Sequence, residues 1–183
     1  MRLFVAVYPP PPVCADLEAT VARLAVARPM PVGRSTRLAT PDRWHLTLAF
    51  LGDLPDERAP RAVAALDAVR FPPVEVRIAG GGRFGRGRFT TLWAGLRGDL
   101  GELSRAVRRE LKKARLPYDP KPFRPHLTLA RPGDRIAAEE LAGDLARLDV
   151  YSGPLWTIKD IRLVRSFLGP HPTYETLATR DLG

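Results

Sequence analysis

Two histidines in this chain stand in the same five-residue setting. His45-Leu-Thr-Leu-Ala49 recurs letter for letter as His126-Leu-Thr-Leu-Ala130, 81 residues later. Along an extended strand successive side chains alternate faces, so each histidine shares a face with the threonine two places on, and the leucines take the other. The leucines would be buried, leaving an imidazole and a hydroxyl to line a surface or cleft. An imidazole titrates near neutrality, at ~6.5 when unperturbed, so one ring can hold a proton while its counterpart lacks one. Such a pair supplies a general base for a nucleophile and a general acid for a leaving oxygen. The hydroxyls of Thr47 and Thr128 can donate hydrogen bonds to the non-bridging oxygens of a phosphate held between them. An isolated His-x-Thr is ordinarily a satisfied core or surface histidine; the duplication is what argues for a site. The third histidine, His171, lies in His-Pro-Thr-Tyr, a loop composition.

No cluster of carboxylates or cysteines accompanies the two motifs, so a site working without metal or cofactor is expected. The single cysteine, Cys14, leaves no disulfide framework and no cysteine-based zinc site. The glycine-rich segment at residues 80–88 contains no Gly-Lys-Ser/Thr. It does not open a helix after a strand either, which argues against a nucleotide cradle.

Hydrophobic periodicity supplies elements to position these residues. Strands are expected at residues 3–8, 44–51, 74–78, 89–96, 126–131, 151–166 and 174–179. Helices are expected at 13–28, 55–69, 99–115 and 137–148. The 80–88 segment then reads as a loop joining two strands. Alternating helices and strands with short connections favour an α+β fold with antiparallel pairing. The 183 residues, 45% hydrophobic and 27% charged, suit one globular domain. The apolar start is too short for a signal-peptide core, and no stretch approaches the ~18 apolar residues of a membrane span. A cytoplasmic monomer is the expectation.

The net charge of +9 is unevenly placed. Residues 83–131 hold 13 Lys and Arg against 4 Asp and Glu, and the rest of the chain is neutral. A concentrated basic segment attracts polyanions, nucleic acid first. Because Arg105, Arg108, Arg109, Lys112 and Lys113 fall at helical spacings, a solvated helix face is the competing reading.

These motifs resemble the two-histidine (2H) phosphoesterase superfamily and, within it, the RNA 2′,3′-cyclic phosphodiesterases, historically called 2′-5′ RNA ligases. The resemblance rests on four segments and spans the chain: Arg2-Leu-Phe-Val-Ala-Val, Trp44-His-Leu-Thr-Leu-Ala-Phe-Leu-Gly52, Phe123-Arg-Pro-His-Leu-Thr-Leu-Ala-Arg131, and Leu163-Val-Arg-Ser-Phe-Leu with Tyr174 beyond it. It implies a single bilobal domain over residues 1–183, with two pseudo-symmetric lobes, antiparallel sheets lining a central cleft and helices outside. It also implies His45 as proton donor, His126 as proton acceptor, and Thr47 and Thr128 as phosphate ligands. Arg131 falls where such enzymes place a phosphate-binding arginine, but an ideal strand points it away from His126, so a bulge or strand end must turn it inward. Phe50 occupies the equivalent place after the first motif, where it could stack a base or fill the core.

The expected activity is hydrolysis of a 2′,3′-cyclic phosphate, at an RNA end or on a nucleotide, to a 2′-phosphate. Two alternatives keep the same acid–base pair: 2′,5′-phosphodiester ligation or cleavage, and opening of an ADP-ribose cyclic phosphate. A third is of another class, an RNA-binding module in which the histidines merely contact phosphate.

Overall fold

The computed structural model describes residues 1–169 and 172–183. The loop expected around His171 falls outside the described residues. In chain order the elements are β1 (Arg2–Val7), α1 (Pro11–Val21), β2 (Leu46–Asp53), α2 (Ala59–Asp67), β3 (Val74–Phe84), β4 (Thr91–Arg97), α3 (Leu100–Lys113), β5 (His126–Ala130), α4 (Ala138–Asp149), β6 (Ser152–Ile158), β7 (Asp160–Phe167) and β8 (Thr173–Asp181). The strands form one antiparallel sheet in the order β6-β3-β4-β5-β2-β1-β7-β8. The fold is α+β, and the two expected sheets are the four-stranded halves of this one sheet. The halves meet where β2 and β5 pair through a single registered couple, Leu46 opposite Leu127.

That sheet must curl. Laid flat, β6 and β7 would stand roughly 29 Å apart, six spacings of ~4.8 Å, yet Lys159 alone separates them in the chain. One residue spans at most ~3.6 Å, so the two halves fold toward each other. The helices cover one face: α1 lies against β6, α4 against β3, α3 against β2, and α2 against β8 and α3. The main core forms there, joining Leu46, Leu48, Leu127 and Leu129 of the motifs to Leu17, Leu66, Leu103 and Leu148 of the helices. The other face carries a small cluster of Phe4, Ala6 and Val164, flanked by Tyr8, Phe50 and Tyr174.

Besides shifts of up to four residues at element ends, which leave His45 just before β2, the structure departs from the sequence expectations in three places. The glycine segment is strand rather than loop through Gly82, because β3 runs on to Phe84. A Cβ on Gly82 would sit 2.4 Å from the Trp93 ring, and one on Gly81 would sit 2.7 Å from Leu148 Cβ of α4. These glycines let an indole and a helix close on opposite faces of the strand. The expected strand at 151–166 is two strands that part at Lys159. The first helix begins earlier, at Pro11, where proline's fixed φ suits the first turn, and it stops at Val21.

Asp144 explains that early stop. This α4 carboxylate is fully buried and accepts hydrogen bonds from the backbone N–H of Ala25 (2.6 Å) and Val26 (3.1 Å). It thereby caps a separate 3₁₀ turn, Ala25–Ala27. Replacing Asp144 by Ala would strand one buried and one part-buried donor, and the loss of a buried partner costs roughly 1–3 kcal/mol. Asp144→Ala should therefore lower the thermal midpoint by several degrees in a chain of this size, with Asp144→Asn milder. An unchanged midpoint for Asp144→Ala would refute the capping role.

Candidate active site

The Leu46–Leu127 couple sets the geometry of the site. In an antiparallel pair, moving one residue along one strand moves one residue back along the other. Extending the register therefore places His45 across from Thr128, and Thr47 across from His126. The two leucines point to the core and are at most 1% exposed, so all four polar side chains project from the opposite face. Directly opposed residues have Cβ atoms about 4.5–5.5 Å apart, which makes the four side chains one cluster. All four line one cavity of about 420 Å³.

Both rings are oriented in the same way. The Nδ1–H of His45 donates to the Arg43 carbonyl, and that of His126 to the Arg124 carbonyl, each at 2.7 Å. A carbonyl can only accept, so Nδ1 carries the hydrogen, and Nε2 is left to hold a lone pair or a second proton. Aromatic rings fix the planes. Phe4 stacks on His45 at 4.9 Å, and Tyr174 meets it edge-on at 5.2 Å. Around His126, Phe84 stands edge-on at 4.9 Å and Trp93 at 6.2 Å.

Burial disfavours the imidazolium form, so it holds both histidines below the ordinary value of 6.5. The carbonyl bonds oppose this, and for His45 the positive charges of His126 and Arg131 add to it. Tyr8, tilted against His45 at 5.6 Å, is pushed up to about 12, mainly by burial.

The bulge required for Arg131 is present in both motifs. Thr128 pairs with Trp93 and Ala130 with Leu92, leaving Leu129 as an extra residue. In the first motif Thr47 pairs with Ala6 and Ala49 with Val5, leaving Leu48 extra. Each bulge shifts the alternation by one place. Arg131 thereby lines the cavity with the four motif residues. Phe50, its counterpart, lines a neighbouring cavity of about 600 Å³, which shares Thr47 and His126 and adds Phe84 and Phe123. The Arg2 guanidinium sits 4.7 Å above the Phe50 ring.

The loops before the motif strands complete the pseudo-symmetry. Before β2, the Ala39 N–H donates to the Leu129 carbonyl (2.7 Å), and the Thr36 carbonyl accepts from the Arg131 N–H (3.0 Å). Before β5, the Asp119 N–H donates to the Phe50 carbonyl (2.8 Å). Each loop thus closes the gap beside the other motif's strand. Sequence reasoning missed the loop arginines Arg37 and Arg43 and the aromatic rings. Arg43 and Arg124 are themselves 81 residues apart, a signal that extends the repeat upstream.

Five of the thirteen basic residues of the basic segment lie on α3. Arg105 pairs with Glu102, and Arg109 and Lys113 share Glu110 at 3.2 and 2.9 Å. Arg108 alone of these lines the second cavity, its guanidinium 5.6 Å from the Tyr118 ring. Among the described residues no helix is long and apolar enough to cross a membrane.

The chain is similar to known proteins in sequence and fold. Residues 9–167 match the model of the 2′-5′ RNA ligase superfamily. The chain is 34% identical to a Thermus thermophilus protein named RNA 2′,3′-cyclic phosphodiesterase, over 97% of this chain and 88% of that one. It is 29% identical to an Archaeoglobus fulgidus protein of the same name, over 97% and 98%. Its fold matches that of E. coli LigT crystallised with 3′-AMP, with a TM-score of 0.75 at 22% identity, over 99% of this chain and 97% of that one. With its repeated motif at the seam of the sheet, the chain belongs to the 2′-5′ RNA ligase superfamily of two-histidine phosphoesterases.

Proposed function

We propose that this protein hydrolyses 2′,3′-cyclic phosphates at RNA or nucleotide ends to 2′-phosphates, by acid–base catalysis between His126 and His45 and without a metal ion. The observation that carries the reading is the cross-strand cluster of two histidines and two threonines, with neither Nε2 atom hydrogen-bonded among the described residues. The shared name of the relatives from Thermus and Archaeoglobus supports the substrate class, as does the nucleotide in the LigT crystal.

His126 Nε2 takes a proton from water as the water oxygen bonds to phosphorus, in line with the 3′ oxygen. The bond from phosphorus to the 3′ oxygen breaks, and His45 Nε2 delivers its proton to that oxygen. The products are a free 3′ hydroxyl and a 2′-phosphate; proton exchange with solvent then resets the two rings. Thr47, Thr128 and Arg131 hold the non-bridging oxygens as negative charge builds on them. Phe50, with Phe84 and Phe123 beside it, offers the base an aromatic wall. The carbonyl lock serves both roles, because the same nitrogen faces substrate whether it carries a lone pair or a proton.

Incubation with an RNA ending in a 2′,3′-cyclic phosphate, in EDTA, should yield the 2′-phosphate isomer. A 3′-phosphate product, or activity restored only by a divalent ion, would overturn the scheme. Replacing His45 or His126 by Ala should cut kcat by ~10²–10⁴-fold. The double variant should be little worse than either single one, since the two act as a unit. RNA binding that survives in these variants while turnover is lost would exclude the binding-module reading.

The pH dependence follows from the cavity. The active free enzyme holds one proton between two rings that both titrate below 6.5, so kcat/KM should be bell-shaped and centred on the acid side of that value. A bound phosphodiester anion favours the imidazolium, so the alkaline limb of kcat should lie at higher pH than that of kcat/KM. A kcat/KM that climbs steadily through the alkaline range would point to hydroxide attack without a histidine base.

A further inference from the structure

Three arginines, Arg37, Arg43 and Arg131, line the cavity that holds the motif residues. None of the ion pairs among the described residues takes them up. A cyclic phosphodiester carries one negative charge, which Arg131 and a histidine proton already balance. Arg37 and Arg43 are surplus to that group, and the cavity of about 420 Å³ is far larger than one phosphate fills.

Arg37 is also held in an unfavourable backbone conformation. Its φ is +52°, and Arg115 is the only other described non-glycine residue with a positive φ. Such a conformation is strained for a residue with a Cβ and persists only where the surroundings impose it. Here they do. The Thr36 hydroxyl donates to the Val26 carbonyl (2.7 Å), and the Arg37 N–H donates to Ser35 Oγ (3.0 Å). The Thr36 and Ala39 backbone bonds tie both flanks to the end of β5. A loop pinned on both sides thus delivers one guanidinium to the cavity.

The order of atoms in ribose says what that guanidinium would meet. In the proposed scheme the departing 3′ oxygen lies at His45, so C4′ and C5′ would extend into the cavity that Arg37 and Arg43 line. C1′ and the base, attached beside C2′, extend the other way, toward Thr47, His126 and the aromatic cavity. We propose that Arg37 and Arg43 form a subsite for a phosphoryl group on the 5′ oxygen of the terminal nucleotide. The preferred substrate then carries phosphate at that oxygen, whether as the internucleotide diester of an RNA end or as a terminal 5′-phosphate. This assignment rests on the hydrolase reading above.

The test uses three substrates: adenosine 2′,3′-cyclic phosphate, the same compound with a 5′-phosphate, and an ApA dinucleotide ending in the cyclic phosphate. Charge-assisted contacts to phosphate are strong enough that wild-type kcat/KM should favour a 5′-phosphorylated substrate about ten-fold or more. Arg37→Gln, and independently Arg43→Gln, should lose most of that preference through KM. Arg37→Gln should act on adenosine 2′,3′-cyclic phosphate as wild type does, which also shows that it folds. Preference for the dinucleotide alone supports a subsite for the RNA diester, and preference for the 5′-monophosphate alone supports one for a terminal phosphate. Equal wild-type activity on all three substrates, a preference that survives Arg37→Gln, or a loss on adenosine 2′,3′-cyclic phosphate as large as on the others would overturn the subsite. Failure of wild type to turn over any of the three would instead overturn the hydrolase reading, and the subsite with it.

Discussion

One pair of backbone residues, Leu46 facing Leu127, sets the relation between the two halves of this molecule. Because strand side chains alternate, that pairing puts each histidine opposite the other motif's threonine. It also sends the leucines into the helix-covered core. A slip of one residue would turn a histidine into the core and a leucine into the cavity. The burial of four leucines, Leu46, Leu48, Leu127 and Leu129, therefore stabilises the register that assembles the polar cluster. Core and site are two faces of one constraint.

Around that seam the chain is nearly a two-fold repeat, and its asymmetries carry the chemical direction. Both rings donate to a carbonyl two residues upstream, and both motifs bulge at their second leucine. The bulges bring Arg131 to one cavity and Phe50 to the other, so the aromatic wall of Phe50, Phe84 and Phe123 lies on one side of the cluster only. A symmetric cluster could not tell the two ends of a ribose apart. In the proposed function the exchange of arginine for phenylalanine at equivalent positions would provide that distinction.

Much of this was legible in the sequence because local rules govern it. The pentapeptide repeat and strand alternation place His45, Thr47, His126 and Thr128 on one face, and the need for a bulge before Arg131 follows from the same alternation. What escaped depends on contacts distant in the chain. The first helix stops at Val21 because Asp144, more than a hundred residues away, caps the turn that follows. Residues 80–82 read as loop because glycine signals turns, whereas here it makes room for Trp93 and Leu148. The break at Lys159 is invisible while β6 and β7 both alternate, since it reflects which half of the sheet each strand joins. Charge counting pointed to residues 83–131, where three of the basic residues on α3, Arg105, Arg109 and Lys113, pair with Glu102 and Glu110. Arg37 and Arg43, by contrast, come from a part of the chain whose charges cancel.

The central claim is that the two imidazoles are locked alike, with Nδ1 bound to a backbone carbonyl and Nε2 reserved for substrate. Nitrogen-15 NMR of the histidine side chains across a pH titration tests it directly. In the neutral form both His45 and His126 should be Nδ1–H tautomers. Both should titrate below 6.5, and His126→Ala should raise the midpoint of His45 by removing a neighbouring positive charge. An Nε2–H tautomer at either ring, or a midpoint above the ordinary value, would contradict the account.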